Sequence, residues 1–229
     1  MSYPERYLKY LELSEDQIPI IMNQLSPSTK EQMIEIMKQE DFPGSSDFKT
    51  LGLMFNLIYY SNAKKVLEIG SRIGFSGLTI LDALSKSPGT GKKLLVTIDP
   101  LKKLHDKAKS FFDNAGFSTN YKLITNTSES FEAQTESKKY APYDVLYIDS
   151  LHSYNQIRQE LKIYFPLLKK GGFLFCHDSS EFSTKFDKEN NGGIRRGLME
   201  LIDSEPIDSL FLEQDSGWSI TGTFLGIKK

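Results

Sequence analysis

Two acids and two histidines stand just beyond apolar runs of this chain. Asp149 and His152 follow Tyr143 to Ile148, and His177-Asp178 follows Phe173 to Cys176. Paired carboxylates hold a divalent cation through hard oxygen ligands. A histidine beside them, with an ordinary pKa of about 6.5, takes a proton at neutral pH. A second group lies earlier, in Glu68-Ile69-Gly70-Ser71-Arg72-Ile73-Gly74-Phe75-Ser76, followed by Asp99. Gly70 and Gly74 let a backbone turn tightly and pass close to a ligand, and Ser76 has its hydroxyl free at a helix start. Asp99 closes the next apolar run, the place from which a carboxylate accepts from both ribose hydroxyls in dinucleotide folds. The dinucleotide fingerprint puts a second glycine where this chain has Arg72, which leaves no clearance for a pyrophosphate. The pattern fits a nucleoside cofactor without one. Each feature alone also has a structural explanation, since acids at strand ends cap helices and glycines serve packing. Their joint placement at successive strand ends favours a ligand site.

The elements that must place these residues alternate. Strands are expected at 65–69, 94–98, 121–124, 143–148 and 173–176. Helices are expected at 75–84, 101–115, near 128–137, and from Tyr154 to Lys169, closed by Gly171-Gly172. Short apolar strands separated by helices of this length indicate βαβ units and a buried parallel sheet. Ile207 to Leu212 and Ser219 to Ile227 have no room for a crossover helix between them, so they read as an antiparallel hairpin at the sheet edge. Ahead of the sheet, residues 1–45 read as short polar helices. Ser14-Glu15-Asp16-Gln17 has the form of a capping box, and Pro27 sits at a first helical position. These helices cap the domain or bury a dimer seam. Phe42-Pro43-Gly44-Ser45-Ser46 breaks the pattern, and a helix from about Asp47 to Tyr60 carries Leu51, Met54, Phe55 and Ile58 on one face.

The chain has 229 residues, with 28 Lys+Arg against 30 Asp+Glu and a net charge of −2. That length buries a sizeable core without staples, and the lone Cys176 excludes a disulfide framework. No apolar run approaches a membrane span, and Met1 to Arg6 lack a signal-peptide layout, so a cytoplasmic protein is expected. Balanced charge disfavours nucleic acid as a partner. Lys102, Lys103, Lys107 and Lys109 with His105 make one helix basic, which reads as a solvated face.

Ala63-Lys64-Lys65-Val66-Leu67-Glu68-Ile69-Gly70 with Gly74-Phe75-Ser76 resembles the first motif of class I S-adenosylmethionine-dependent O-methyltransferases, in the catechol and caffeoyl-CoA group and its macrolide-sugar relatives. The resemblance covers roughly residues 44 to 229. It implies an α/β fold with a Rossmann-like, seven-stranded, mostly parallel sheet, a C-terminal antiparallel hairpin and helices on both faces. Residues 1–45 would form a helical cap or dimerisation segment and 46–229 the methyltransferase domain. Glu68, Gly70, Ser71, Gly74 and Ser76 would surround the methionine part of the cofactor, Asp99 the ribose, and Ser128 and Glu129 the adenine. Asp149 and Asp178 would bind Mg²⁺, with Asp149 also beside the cofactor. The family's third ligand, an Asn, is replaced here by Ser179, with Glu181 as another candidate. His152 stands where the catechol group has a Lys base, as in the macrolide-sugar relatives. The implied reaction is methyl transfer from S-adenosylmethionine to a hydroxyl of a small metabolite, by a homodimer. A hydroxylated tRNA nucleoside as acceptor, or a non-catalytic cofactor-binding scaffold, are the competing readings. The 179–193 loop, with Phe182, Phe186 and Asn190, is a candidate substrate lid.

Overall fold

The computed structural model describes residues 20–42, 44–213 and 221–229. The Ser14–Gln17 capping sequence and Ser219, expected to open the second hairpin strand, lie outside these residues. Along the chain come helices α1 (Ile20–Gln24), α2 (Pro27–Met37) and α3 (Phe48–Tyr60), then strand β1 (Lys65–Ile69) and α4 (Phe75–Lys86). Next are β2 (Leu94–Ile98), α5 (Lys102–Asn114), β3 (Tyr121–Ile124), α6 (Phe131–Lys138), β4 (Tyr143–Ile148) and α7 (Tyr154–Tyr164). The chain ends with β5 (Leu168–His177), α8 (Gly193–Ser204), β6 (Ile207–Leu212) and β7 (Thr223–Lys228).

The seven strands form one sheet in the order β3-β2-β1-β4-β5-β7-β6. The first five pair in parallel, and β7 runs antiparallel to both β5 and β6. The hairpin therefore turns inward, with β6 at the edge. Strand residues alternate between two cores, as a period of two requires. Val66, Val145, Tyr147 and Phe175 join α1 to α5 on one face, while Leu67, Ile69, Leu146, Ile148, Leu174 and Cys176 join α6 to α8 on the other. Strands buried on both faces are near-continuous apolar runs, which is why their limits were readable.

Helices α1 and α2 contribute Ile21, Met33, Ile36 and Met37 to the same core as α4. Asp82 of α4, itself fully buried, accepts from the Ser26 amide and the Thr29 hydroxyl, each at 3.1 Å. A neighbouring helix thus supplies the cap that the Ser26 side chain does not. Phe42 then packs edge-on to Phe75, with ring centroids 5.0 Å apart. This fixes the chain entering α3 against the carboxyl ends of the strands.

Two expectations are corrected. The helix after Tyr154 ends at Tyr164 rather than Lys169, because a 3₁₀ turn containing Pro166 intervenes and β5 begins at Leu168, paired with Tyr143. Gly171-Gly172 lie inside that strand, where a side chain on Gly172 would meet Leu168 Cδ1 at 2.7 Å. Helix α8 was not anticipated. Its Gly193 start and charged Arg195-Arg196 hid an apolar stripe of Ile194, Leu198 and Leu201. No helix among the described residues is long and apolar enough to cross a membrane.

Candidate active site

A cavity of about 310 Å³ opens at the carboxyl ends of β1, β2 and β4, where α/β sheets bind ligands. Gly70, Asp99, Ser128, Glu129 and Asp149 line it, together with Ser150, Gln156 and Glu160. Gly70 has φ +91°, and a Cβ there would lie 2.1 Å from the Asp149 carbonyl oxygen. Only glycine lets β1 and β4 end this close together. Asp99 is 3% exposed and holds the cavity floor rigid: its Oδ2 accepts from the Arg72 amide and its Oδ1 from the Leu101 amide, both at 2.8 Å.

Glu68, Ser71, Gly74 and Ser76 do not line this cavity; they form the layer behind it. Glu68 Oε1 accepts from Ser76 Oγ at 2.5 Å, and Oε2 is buried without a hydrogen-bond partner. Burial pushes the Glu68 carboxyl up to about 7, against the opposing Ser76 hydrogen bond. Ser71 Oγ is 2.9 Å from His105 Nε2, whose Nδ1 faces Thr125 Oγ1 at 3.0 Å. His105 is thus turned inward, while Lys102, Lys107 and Lys109 pair with Asp106, Asp41 and Asp113. A side chain on Gly74 would strike Phe112 Cε1 at 2.8 Å, so packing against α5 explains that glycine.

Beyond the cavity lies a tight cluster of acids and imidazoles. His152 Nε2 is 2.9 Å from Asp178 Oδ2, and the same oxygen is 3.1 Å from His177 Nδ1. His177 Nε2 lies 3.0 Å from Asp47 Oδ2, and its Nδ1 is 3.4 Å from Asp149 Oδ1. Burial opposes a charge on His177, but Asp178 and Asp149 outweigh it and raise the pKa well above the usual value. The ring lies buried among the carboxylates of Asp47, Asp149 and Asp178. Burial likewise acts to raise the Asp178 pKa, and His177 and His152 overcome it and hold the carboxyl well below the ordinary range. For His152, burial lowers the pKa, while Asp178 and Asp149 raise it by more. Asp178 also adopts φ +53°, a left-handed conformation that non-glycine residues seldom take. One ligand atom each from Asp149, His152 and Asp178 lie within 4.8 Å of one another.

The sequence did not reveal Ser46, Asp47 or Glu160. Ser46 Oγ donates to Asp149 Oδ2 at 2.6 Å, beside the Tyr147 hydroxyl at 3.0 Å from the same oxygen. Asp47 caps α3 by accepting from the Lys49 and Thr50 amides at 2.9 and 3.0 Å, while Oδ2 reaches His177. A capping sequence gives no sign of that second bond. Glu160 was detectable in principle, because it lies on the buried face of α7 with Ile157, Leu161 and Tyr164. An acid on an apolar stripe needs partners.

Residues 179–192 run past His152. Phe186 packs 5.7 Å from its ring, and Lys185 Nζ sits 3.2 Å above Phe182. Asp187 ties this segment down: Oδ2 accepts from the amides of Tyr154, Asn191 and Gly193 at 3.3, 3.1 and 3.1 Å, and Oδ1 from Glu189 at 3.1 Å. Asn190 is exposed on the turn. Glu181 is 82% exposed and lies 3.6 Å from Arg195, apart from the acid cluster. Ser179 Oγ is buried with no partner.

The strand order and the cavity at the strand ends define a class I methyltransferase fold. A family model described as a methyltransferase domain matches residues 67–179 of this chain. Among solved structures, an O-methyltransferase from Bacillus cereus in complex with SAH has TM-score 0.75 at 17% identity, over 89% of this chain and 91% of that one. The O-methyltransferase TomG from Streptomyces achromogenes, involved in tomaymycin synthesis and in complex with SAM, has TM-score 0.71 at 16% identity over 100% of both chains. A Staphylococcus aureus protein proposed to be a caffeoyl-CoA O-methyltransferase has TM-score 0.73 at 22% identity, covering 97% of this chain and 100% of that one. Comparison with curated protein sequences gives no match.

Proposed function

We propose that this protein transfers the methyl group of S-adenosylmethionine to a hydroxyl oxygen of a small molecule. One observation carries the proposal: the cavity that includes Asp99, Ser128 and Glu129 reaches Asp149, at the edge of the Asp149, His152 and Asp178 cluster. A nucleoside fits the first group of residues and an acceptor oxygen the second. Methyl transfer is an in-line displacement, so the oxygen must be held close to the sulfonium and stripped of its proton. Asp178 engages His152 Nε2, which leaves Nδ1 as the nitrogen that takes the proton.

The residues also fit a divalent cation, with Asp149 and Asp178 as its anionic ligands. Ser179 Oγ, a buried oxygen without a partner next to Asp178, supports a neutral third ligand where the family has Asn. A cation held there lowers the pKa of the acceptor hydroxyl. His177 Nδ1, 3.4 Å from Asp149 and 3.1 Å from Asp178, competes with it for the same two carboxylates.

The test is calorimetric titration with S-adenosylmethionine, then methyl transfer across a panel of hydroxyl compounds with Mg²⁺ or EDTA. Binding with turnover supports the reading, and turnover abolished by EDTA supports the cation. Binding without turnover on any hydroxyl, with or without Mg²⁺, favours a cofactor-binding scaffold instead. Residues 1–45 are proposed as a cap on the 46–229 domain, since Phe42 packs against Phe75 of its core.

A further inference from the structure

The buried His177 ring is held from two sides. On one side Asp47 Oδ2 lies 3.0 Å from Nε2. Asp47 is itself fixed: its Oδ1 accepts from the Lys49 and Thr50 amides, and its Oδ2 also accepts from Thr50 Oγ1 at 2.8 Å. Thr50 Oγ1 lies 2.6 Å from Thr223 Oγ1, and Thr223 pairs with His177 across β7 and β5. A carboxylate only accepts, so Nε2 is the nitrogen that carries a hydrogen toward Asp47. On the other side Nδ1 faces Asp178 Oδ2 at 3.1 Å and Asp149 Oδ1 at 3.4 Å. Successive side chains on a strand point to opposite faces. Asp178 escapes that rule: just past the end of β5 it has φ +53°, and its carboxylate meets the ring of the residue before it.

Resting on the cation reading above, we infer that His177 Nδ1 is a ligand of that cation, positioned by Asp47, and that this nitrogen makes the site select Zn²⁺ over Mg²⁺. Neighbouring ligand atoms on a cation with bonds of about 2.1 Å lie about 3.0 to 3.4 Å apart. Nδ1 stands at that spacing from both carboxylate oxygens. A histidine ligand ordinarily donates its other N–H to a carboxylate, which sets the tautomer and direction of the ring. Asp47 is that carboxylate. Two carboxylates and one imidazole leave a position open for an acceptor, as catalytic zinc sites do. His177 stops competing for Asp149 and Asp178 when Nδ1 gives up its proton and turns its lone pair to the cation. Mg²⁺ favours oxygen and keeps its waters, whereas imidazole suits zinc. The chain has three histidines. Of the other two, His105 faces Ser71 and Thr125, and His152 directs Nε2 at Asp178.

The test is calorimetric titration of chelator-treated protein with Zn²⁺ and with Mg²⁺, in the absence of cofactor and acceptor. It compares the wild type, Asp47→Asn and His152→Ala, with folding checked by circular dichroism. The wild type should bind Zn²⁺ at least about hundredfold more tightly than Mg²⁺; a smaller ratio overturns the inference. Asp47→Asn keeps an oxygen for the α3 cap but turns an N–H toward Nε2. The ring must then carry its hydrogen on Nδ1, and Zn²⁺ affinity should fall at least about tenfold relative to Mg²⁺. Loss of the Asp47 charge weakens both cations alike, so an unchanged ratio in this variant overturns the inference. His152→Ala should keep the wild-type ratio within about threefold. A ratio that collapses in His152→Ala makes His152 the nitrogen ligand and overturns the inference as well. The wild type and His152→Ala decide between these outcomes even where Asp47→Asn does not fold. If neither cation binds the wild type, the cation reading falls and takes this inference with it; Mg²⁺ binding without a Zn²⁺ preference removes the inference alone.

Discussion

The two ends of the site bury carboxyl groups in opposite ways. At one end, burial raises the pKa of Glu160, and its partners Gln156, Ser150 and Ser128 are neutral donors. At the other, Asp149 and Asp178 are buried as well, but His177 and, for Asp178, His152 face them and drive their pKa values down. The residue type and the burial are similar; the partners differ. Neutral partners give a fixed pattern of hydrogen bonds, while imidazoles give groups that exchange protons or hold a cation. In the function proposed above, one end recognises and the other reacts.

The sharpest way to break this division is His152→Ala. Loss of a general base lowers turnover by about 10² to 10⁴-fold, while S-adenosylhomocysteine affinity, read by calorimetry, should stay within a few-fold. Equal losses in turnover and affinity would merge the two ends into one. Glu68, in the layer behind the cavity, gives the next effect. Its carboxyl is raised from the usual 4.5 to about 7, so the folded protein holds this proton more tightly than the unfolded chain does. Stability from this group is full below pH 4.5, declines as pH rises, and levels off above about 7, a loss on the order of 3 kcal/mol. Urea unfolding of wild type and Glu68→Gln at pH 5 and pH 8 measures it, and the variant should lack that decline. If the two proteins show the same pH slope, Glu68 is ionised in the fold.

Asp47→Ala removes the α3 cap and leaves His177 Nε2 without its partner. The expected cost is about 2 to 3 kcal/mol in chemical denaturation. Turnover should fall further than the loss of folded protein explains, because His177 is freed to shift against Asp178. The smallest effect is expected for Ser179→Ala. Deleting a buried hydroxyl that has no partner changes stability by no more than about 1 kcal/mol and does so favourably. If that oxygen is a cation ligand, Mg²⁺ affinity drops in the same variant; unchanged affinity would leave the cation to the two aspartates.

Much of this was legible in the sequence, for physical reasons. Strands β1 to β4 are apolar runs because both faces are covered, and their ends could be read to the residue. Asp99 and Asp149 follow from their position at those ends, Ser128 and Glu129 from the resemblance, and the structure brings all four around one cavity. The division between lining and support was not legible. Glu68, Gly74 and Ser76 belong to the first motif, yet side-chain direction and the packing of Phe112 place them behind the wall. Asp47 and Ser46 act on groups 130 and 103 residues later in the chain, a relation that no local pattern encodes. β5 was misread at its start because Lys169-Lys170-Gly171-Gly172 has the composition of a helix end, and only pairing with Tyr143 makes it a strand.

The four amides gathered by Asp187 have a consequence for how this protein can change. They anchor the downstream end of the segment from Ser179 to Phe186 at a single carboxylate, outside the cavity lined by Asp99, Ser128 and Glu129. A segment moored in this way behaves as an interchangeable cassette. Its length and side chains can be rewritten to admit a different acceptor, provided the mooring aspartate is kept, while the rest of the enzyme is inherited unaltered.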